Sequence, residues 1–459
     1  MNKEELKEAL YNRYIVPTTK KKENYIGIEI EMPVVNLTGR ATDFDVTRSV
    51  TKEFCEEFGF LAQGFDENGY AYSSTEPITG DNLSFDCSYN NLEFSFAKEK
   101  SLEPIAERFK QYITALNKKL EKQGHLLTGM GINPGYKVNE NVFLPVPRYQ
   151  MLEGYLRRSK RWEYPMYFHK YPDFGAYACA SQVQLDVTKD RLIQTIDAFS
   201  LLEPIKSILF ANSWMDEEPD VLCMRDMFWE NSTHGINPHN IGVFEKLPED
   251  IDELMEYIYR TSIFCTERNG HYLHFHPIPV TEYFSQQEII GEYYEDGTYH
   301  PYRIKPGESD LQFLRTYKFE DLTFRGTIEY RSGCCQPFSD AMTIAAFHVG
   351  LSEVLDEVTD LFKNDDVLYH HGYTSGELRK IMNRRILPDF IDKEALKVLC
   401  KEVLNLAQMG LSKRGFGEEK YLDSIYERAE TLVSPGRKLA DGIMSGRKMK
   451  DFIYEFASV

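Results

Sequence analysis

The chain has 459 residues, 42% of them hydrophobic and 27% charged, and this length can bury a large core in two or three structural units. Its 72 acidic residues outnumber 53 basic ones, and the net charge of −19 disfavours nucleic acids and anionic membranes as partners. No apolar run approaches the roughly 20 residues that span a bilayer, and no basic start leads into an apolar segment. We therefore expect a globular, cytoplasmic protein with neither a membrane nor a nucleic-acid partner.

Several segments have the three- and four-residue spacing of apolar residues that predicts α-helices. They run from Ile105 to Leu120, from Leu192 to Phe210, from Ala341 to Phe362 and from Lys393 to Leu411. Pro204 predicts a break or kink in the second segment. The C-terminal part shows little strand pattern, so we divide the chain into an α+β domain, residues 1–340, and a mainly helical region, residues 341–459, packed on it.

Between the helices lie short segments in which apolar and polar residues alternate, as in β-strands with one buried face. They are IGIEIEM (26–32), NLEFSF (91–96), SQVQLDV (181–187), HYLHFHP (271–277) and TIEYRS (327–332). We predict an antiparallel sheet with its apolar face on helices and its polar face open. Solvent-facing strands usually carry lysine, threonine and mixed charges, so a face of carboxylates, amides and one arginine suggests a binding surface.

The carboxylates of this polar face point to a metal. If Glu29, Glu31, Glu93 and Glu329 converge, their repulsion requires a cation, and oxygen-only ligands suit Mg²⁺ or Mn²⁺. The sequence contains no GxxxxGK[ST] phosphate loop, no kinase signature and no HExxH motif. Carboxylate-bound Mg²⁺ most often bridges nucleotide phosphates, so the leading class is an ATP-using enzyme outside the P-loop proteins.

Other interpretations of these residues stay open at this point. The polar face could meet water, with Glu329 and Arg331 as an exposed ion pair of little energetic weight. The cysteines lack CxxC spacing, which indicates neither a zinc ribbon nor a disulfide framework, but the adjacent Cys334 and Cys335 could form a redox pair. His274 and His276 could bind zinc, as in a zinc hydrolase. Trp229 is expected in the core.

Sequence pieces that together indicate a family lie in order between about residues 25 and 445. They are GIEIEM, NLEFSFAKEKSLEPI, GINP, PVPRYQMLEGY, CASQVQLDV, LFANSW, CMRDMFW, IEYRSGCCQPF, LAQMGLSKRG and LVSPGRKLADG. In these pieces the chain resembles the glutamate–cysteine ligases of the plant-type branch, in the superfamily that shares a catalytic sheet with glutamine synthetase. The resemblance implies a glutamine synthetase-like catalytic fold, an antiparallel sheet forming a funnel-like active site flanked by helices.

The resemblance also implies roles for single residues. The implied metal ligands are Glu29, Glu31, Glu93 and Glu329, with Asp86 as a further candidate. Arg331 and Glu329 would be catalytic, and Arg331 would contact the ATP phosphates together with Gln184, which stands where relatives often carry histidine or asparagine. The implied contacts to the amino-acid substrate are Arg225, Arg148 and Gln182.

The implied activity is ATP-dependent formation of γ-glutamylcysteine from L-glutamate and L-cysteine through γ-glutamyl phosphate, the first step of glutathione biosynthesis. Mg²⁺, or Mn²⁺, would be the cofactor and ATP the co-substrate. Because no motif recognises the cysteine thiol, a ligase that joins glutamate to a different amine is one alternative. Another is a non-catalytic relative that binds glutamate or nucleotide, although such a protein would be expected to lose a metal carboxylate.

Overall fold

The structure, a computed structural model, describes residues 1–162, 166–363 and 365–459, and these ranges contain fifteen β-strands and sixteen α-helices. The strands are β1 (Ile26–Asn36), β2 (Leu61–Phe65), β3 (Ala71–Thr75), β4 (Asn82–Phe85), β5 (Asn91–Glu99), β6 (His125–Leu127), β7 (Ser181–Asp186), β8 (Ile241–Gly242), β9 (Ser262–Arg268), β10 (His271–Pro279), β11 (Ile289–Glu295), β12 (Thr298–Ile304), β13 (Tyr317–Lys318), β14 (Glu320–Leu322) and β15 (Thr327–Tyr330). The helices are α1 (Lys3–Tyr14), α2 (Phe44–Phe58), α3 (Glu103–Glu121), α4 (Pro147–Arg157), α5 (Leu192–Leu201), α6 (Glu203–Phe210), α7 (Met224–Glu230), α8 (Ile251–Tyr259), α9 (Val280–Tyr283), α10 (Thr343–Ser352), α11 (Leu355–Lys363), α12 (Ser375–Met382), α13 (Lys393–Arg414), α14 (Asp423–Thr431), α15 (Pro435–Met444) and α16 (Met449–Phe456).

A large antiparallel sheet dominates the first part of the chain. Its strands follow the order β14-β15-β7-β1-β5-β4-β3-β2, and β6 pairs with the far end of β1. Four of the five predicted strands, in β1, β5, β7 and β15, are neighbours at its centre. The predicted α+β fold with an antiparallel sheet is therefore confirmed.

The fifth predicted strand belongs to another sheet. The HYLHFHP segment lies in β10, within a separate four-stranded sheet of order β12-β11-β10-β9. Asn269 and Gly270 both have positive φ, 54° and 83°, which is the backbone of a tight two-residue hairpin turn. Because this turn folds β10 directly back on β9, the expectation that all five strands share one sheet is wrong for this segment.

The helix predictions mostly hold. α3 and α13 confirm the segments predicted from Ile105 and from Lys393. The chain breaks between α5 and α6, where Pro204 takes the second position of α6 and its missing N–H leaves no helical bond unmade. The segment from Ala341 to Phe362 forms two helices, α10 and α11, of which α10 is buried nearly all round and α11 is amphipathic.

The apolar face of the sheet and the C-terminal helices share one core. Phe96 of β5 packs edge to face on Phe109 of α3, with ring centroids 6.4 Å apart. α10 and α13 cross where a Cβ added at Gly410 would lie 1.8 Å from the carbonyl oxygen of Gly350, so glycine permits this close approach. The cluster of buried apolar residues extends from Leu6 to Leu432. The domain boundary at residue 340 stays a prediction.

None of the helices in the described ranges combines the length and the apolar character that crossing a membrane requires.

Candidate active site

The polar face of the central sheet brings the predicted carboxylates into neighbouring positions. Glu31 of β1 pairs with Glu93 of β5, and Glu29 pairs with Gln182 of β7. Directly opposed side chains on one face of a sheet have Cβ atoms about 4.5–5.5 Å apart. The alternation in IGIEIEM therefore puts both glutamates of β1 on the same surface as the polar residues of the adjacent strands.

Glu31, Asp86 and Glu93 form a compact carboxylate cluster on this surface. Ligand atoms from the three side chains lie within 4.8 Å of one another. Asp86 follows directly after β4, whose last pair with β5 joins Phe85 to Leu92. Of the five predicted metal ligands, the structure thus brings these three within reach of a single cation.

Burial and mutual repulsion set the charge state of this cluster. Burial first, and then the Asp86 charge, raise the pKa of Glu31 to about 8, although the Arg225 guanidinium opposes the shift. Burial and then the neighbouring carboxylates raise the pKa of Glu93 well above its usual range, and burial also raises the pKa of Asp86. A divalent cation would favour the ionised forms, so this set of oxygen donors fits Mg²⁺ or Mn²⁺.

Hydrogen bonds orient all three carboxylates, and Asp86 Oδ1 accepts one from the Cys87 thiol at 3.5 Å. Glu31 Oε2 accepts from the backbone N–H of Ala180 at 2.6 Å, and its Oε1 accepts from Gln182 Nε2 at 3.1 Å. Glu93 Oε1 accepts from the Ser95 hydroxyl at 2.6 Å. Each carboxylate oxygen has two lone pairs, so these bonds fix the side chains and still leave acceptor capacity for a cation.

A second group of carboxylates lies along the same face. Gln184 of β7 stands between Gly27 of β1 and Glu329 of β15, and Asp321 of β14 pairs with Glu329 on the other side. Burial, followed by the Glu329 charge, raises the pKa of Glu29 to about 7. Glu29 and Glu329, the other two predicted metal ligands, thus influence each other electrostatically but lie outside the three-carboxylate cluster.

Arg331 lies just beyond the end of β15 and forms an ion pair with Glu329. Its Nη1 donates to Glu329 Oε1, and Arg325 Nη2 approaches the other oxygen at 3.9 Å. The guanidinium also sits over the ring of Tyr317, 5.4 Å from the centroid. These contacts hold Arg331 beside the sheet face, where a charged guanidinium can bind an anion.

Arg225 and Arg148 approach the cluster from different elements. Arg225 of α7 is buried, and its Nη1 donates to the carbonyl of Gly333 at 2.9 Å. Arg148 is the second residue of α4 and is exposed, and its charge opposes the rise in the pKa of Asp86. The two arginines therefore act on different carboxylates of the cluster.

Arg379 of the C-terminal region is a neighbour of the site that the sequence did not indicate. Its Nε and Nη2 donate to the two oxygens of Asp226 at 2.8 and 3.0 Å, and Nη2 also reaches the carbonyl of Ser332 at 3.4 Å. Asp226 follows Arg225, and Ser332 follows Arg331. Arg379, distant in sequence from both arginines, thus contacts the residue that follows each of them, which no local motif could reveal.

Asp321 is another residue near the site that the sequence did not indicate, because β14 has only three residues and is too short to show alternation. Burial raises the pKa of Asp321 to about 7. Trp229, expected in the core, is partly buried and stacks on Tyr317 with ring centroids 4.8 Å apart. Tyr317, which contacts both Trp229 and Arg331, had no signal in the sequence.

The cysteine and histidine alternatives gain no support. Cys334 Sγ lies 3.4 Å from Cys223 Sγ, and the described contacts do not join it to Cys335 Sγ. His274 is buried, with its pKa lowered to about 3 by burial and then by Arg158, whereas His276 is exposed and stacks on Trp162. Among the described residues, three or more potential metal ligands converge only at the carboxylate cluster, so a zinc site at the two histidines lacks a third ligand.

The chain has recognisable relatives. It is 24% identical over 367 residues to the chloroplastic glutamate–cysteine ligase of Brassica juncea, a match that covers 76% of this chain and 65% of that protein. It is 22% identical over 451 residues to the chloroplastic glutamate–cysteine ligase A of Oryza sativa subsp. indica, covering 93% and 82% of the two chains. No family model matches the sequence.

A solved structure has the same fold. The crystal structure of glutamate–cysteine ligase from Francisella tularensis in complex with AMP superposes with a TM-score of 0.51 at 11% identity, covering 96% of this chain and 88% of that chain. The chain thus shares its α+β fold with that structure. In sequence it is similar to the plant glutamate–cysteine ligases. The aligned region spans just under two thirds of the Brassica juncea relative.

Proposed function

We propose that this protein is an ATP-dependent ligase that joins the γ-carboxylate of L-glutamate to the amine of L-cysteine, the first step of glutathione biosynthesis. The observation that carries the proposal is the cluster of Glu31, Asp86 and Glu93, a partly buried group of carboxylates that favours a cation and is bordered by Arg225 and Arg331. The names of the plant relatives suggest the substrates.

The reaction consists of two displacements. A γ-carboxylate oxygen of glutamate attacks the γ-phosphorus of ATP, the bond to the bridging oxygen breaks, and ADP leaves. The amine nitrogen then attacks the acyl carbon of γ-glutamyl phosphate, the C–O bond breaks, and phosphate leaves while the amine loses a proton. Both steps bring negatively charged groups together, so the contribution of the protein is positioning and charge neutralisation.

The metal-binding residues would be Glu31, Asp86 and Glu93, with Glu29 and Glu329 further along the same face. A bound Mg²⁺ or Mn²⁺ would neutralise the phosphate oxygens during transfer. Because the pKa values of Glu29 and Glu31 are raised, these side chains would release protons when they bind a cation. We therefore expect cation affinity to increase with pH.

The arginines and glutamines would bind the substrates. Arg331 and Gln184, which flank Glu329, would contact the phosphates of ATP. Burial alone would lower the pKa of Arg331, but neighbouring negative charges, chiefly Glu329, raise it above its already high range. The guanidinium therefore stays charged. Arg225 and Gln182 adjoin Glu31 and would bind glutamate. Arg148, exposed at the start of α4, would contribute at the rim.

The acceptor amine is the part of this proposal that depends on the relatives alone. Cysteine is proposed from their names, and a related ligase with another amine would use the same carboxylates and arginines. We also propose a cytoplasmic location from the sequence, whereas the plant relatives are described as chloroplastic.

The test is phosphate release from ATP and Mg²⁺ in the presence of glutamate and a panel of amines, with mass spectrometry of the product. We expect release that requires both glutamate and cysteine, and a product with the mass of γ-glutamylcysteine. Glu93→Gln removes a cluster carboxylate and should lower turnover at least about a hundredfold. Glu99→Gln is the matched control, because Glu99 lies on the same strand but pairs with Arg108 at 2.9 Å.

Each outcome separates the candidate functions. Turnover with a different amine would support the proposed mechanism but show that the acceptor substrate is not cysteine. Nucleotide binding without turnover for any pair of substrates would favour the non-catalytic alternative. Equal loss of activity in the two variants would contradict a special role for the cluster.

A further inference from the structure

The amide of Asn91 is buried beside the carboxylate cluster and has no partner. Asn91 is the first residue of β5, two residues before Glu93, and its relative exposure is 0%. Neither Oδ1 nor Nδ2 forms a hydrogen bond within the described part of the chain. Buried side-chain amides in native proteins nearly always have partners, so an unpaired one indicates an unseen water, ion or ligand.

Neighbouring amides have partners within the protein for their nitrogen atoms, whereas Asn90 Oδ1 is unpaired like that of Asn91. Asn90 Nδ2 donates to the carbonyl of Glu140 at 2.9 Å, and Asn133 Nδ2 donates to the carbonyl of Val34 at 3.0 Å. The surroundings of the β4–β5 hairpin thus offer suitable partners. The isolation of both polar atoms of Asn91 is specific to its position.

The strand register directs Asn91 to the cluster. Residues two apart on a strand face the same side, so Asn91 shares the polar face with Glu93. Across the hairpin, the last β4–β5 pair joins Phe85 to Leu92, and Asp86 and Asn91 are the next residues along the two chain segments. Across β1, Asn91 pairs with Pro33, two residues beyond Glu31. Asn91 is therefore adjacent to positions that carry the three carboxylates.

We propose that Asn91 Oδ1 is a further ligand of the cation that Glu31, Asp86 and Glu93 would bind. The inference rests on the metal site of the proposed function and adds a neutral ligand to it. Divalent cations such as Mg²⁺ accept six oxygen ligands, so four protein oxygens leave two positions for substrate or water. An amide supplies an oxygen without adding a fourth negative charge to a cluster whose members already repel one another.

The experiment is a Mn²⁺ titration of the full chain followed by electron paramagnetic resonance, which distinguishes free from bound ion and needs no turnover. Asn91→Leu removes the oxygen and keeps a side chain of similar size, and we expect Mn²⁺ affinity to fall about tenfold or more. Asn90→Leu is the matched control, because Asn90 is equally buried but its amide nitrogen is bonded to the carbonyl of Glu140. It should bind Mn²⁺ like the wild type.

A second pair of variants protects the test against misfolding. Asn91→Asp replaces the neutral ligand by an anionic one, which should bind Mn²⁺ more tightly than the wild type, while Asn90→Asp should not. Equal effects at both positions, or wild-type affinity in Asn91→Leu, would overturn the inference. Mn²⁺ binding that depends on Asn91 in a protein without ligase activity would refute the proposed function and leave this inference standing.

Discussion

Two clusters of buried charged residues border the segment that follows β15, and they differ in how their charges are balanced. One is the carboxylate cluster of Glu31, Asp86 and Glu93. The other, here called the ion network, consists of Glu203, Lys206, Asp226, Glu320 and Arg379. Both clusters contain three carboxylates, but only the ion network also contains cationic side chains.

The ion network balances its own charge. Burial alone would raise the pKa of Glu203, but Lys206 and Arg379 lower it to about 2. The Arg379 guanidinium donates to Asp226, to Glu203 Oε2 at 2.6 Å and to the carbonyl of Glu203 at 3.2 Å. Burial and the Glu203 charge raise the pKa of Glu320, which favours its neutral form. With Glu320 neutral, the two cations Lys206 and Arg379 face the carboxylates of Glu203 and Asp226.

The carboxylate cluster has the opposite design, because burial raises the pKa of each member, and repulsion by neighbouring carboxylates raises the pKa values of Glu31 and Glu93 further. A charge that is neutralised within the protein contributes to a unique, rigid arrangement. A charge that is not neutralised within the protein binds a ligand and makes stability depend on that ligand. This difference predicts that loss of a cation destabilises the ion network strongly, whereas the carboxylate cluster makes stability depend on pH and on bound cation.

Removing a cation from the ion network should be strongly destabilising. Arg379→Met leaves Glu203 and Asp226 buried without their shared partner, and we expect a loss of about 3–5 kcal/mol in the free energy of unfolding. Urea denaturation measures this loss. Arg303→Met is the control, since Arg303 forms an exposed pair with Glu288 and should cost at most about 1 kcal/mol. Similar values for the two variants would contradict a balanced buried network.

Removing a charge from the carboxylate cluster should instead change how stability depends on pH. The pKa of Glu31 rises from 4.5 to about 8 on folding, so the folded protein holds the extra proton between these values. Without a cation, stability should therefore be highest at low pH and decrease as pH rises through this window, by up to about 1.4 kcal/mol per pH unit for one group. Glu31→Gln should flatten that decrease.

Urea denaturation in EDTA at several pH values between about 5 and 8 measures the slope. Saturating Mg²⁺ should restore the stability of the wild type at the high end of the range, because the ionised carboxylates then have a partner. The Glu99→Gln variant should retain the wild-type slope. A stability that increases with pH in the wild type without cation would contradict the interpretation of the cluster.

Much of the fold was readable from the sequence because it depends on local periodicity. The alternation in IGIEIEM and NLEFSF predicted β1 and β5, and Pro204 predicted the boundary between α5 and α6. The assignment of β10 to the wrong sheet shows the limit of this reasoning. Alternation identifies a strand, but the partner of β10 is determined by a tight turn at Asn269 and Gly270.

The candidate site was readable to the extent that it lies on long strands. Glu29, Glu31 and Glu93 followed from alternation, and the hairpin brought Asp86 into the cluster with Glu31 and Glu93. Asn91 was missed because its significance lies in hydrogen bonds that it does not make. Arg379 was missed because its contacts cross from the C-terminal helices to α7 and the segment after β15. Such contacts follow from tertiary packing, which no local pattern encodes.

The weakest effect is expected at Gly27, which lies two residues before Glu29 on the polar face of β1. Gly27 faces Gln184, and a Cβ added there would lie 3.4 Å from Gln184 Cβ, which is ordinary contact. Gly27→Ala should therefore leave stability unchanged or raise it by about 0.5–1 kcal/mol, because glycine loses more conformational freedom on folding.

If the glycine keeps the sheet face open for the nucleotide next to Gln184, the KM for ATP should increase severalfold while kcat and the KM for glutamate stay near wild-type values. Ala97→Gly is the opposite substitution on β5, at a position that does not pair with Gln184. It should leave the KM for ATP unaltered. An unchanged KM for ATP in Gly27→Ala would mean that the nucleotide does not approach β1 at this point, and the polar face would then end at Glu29.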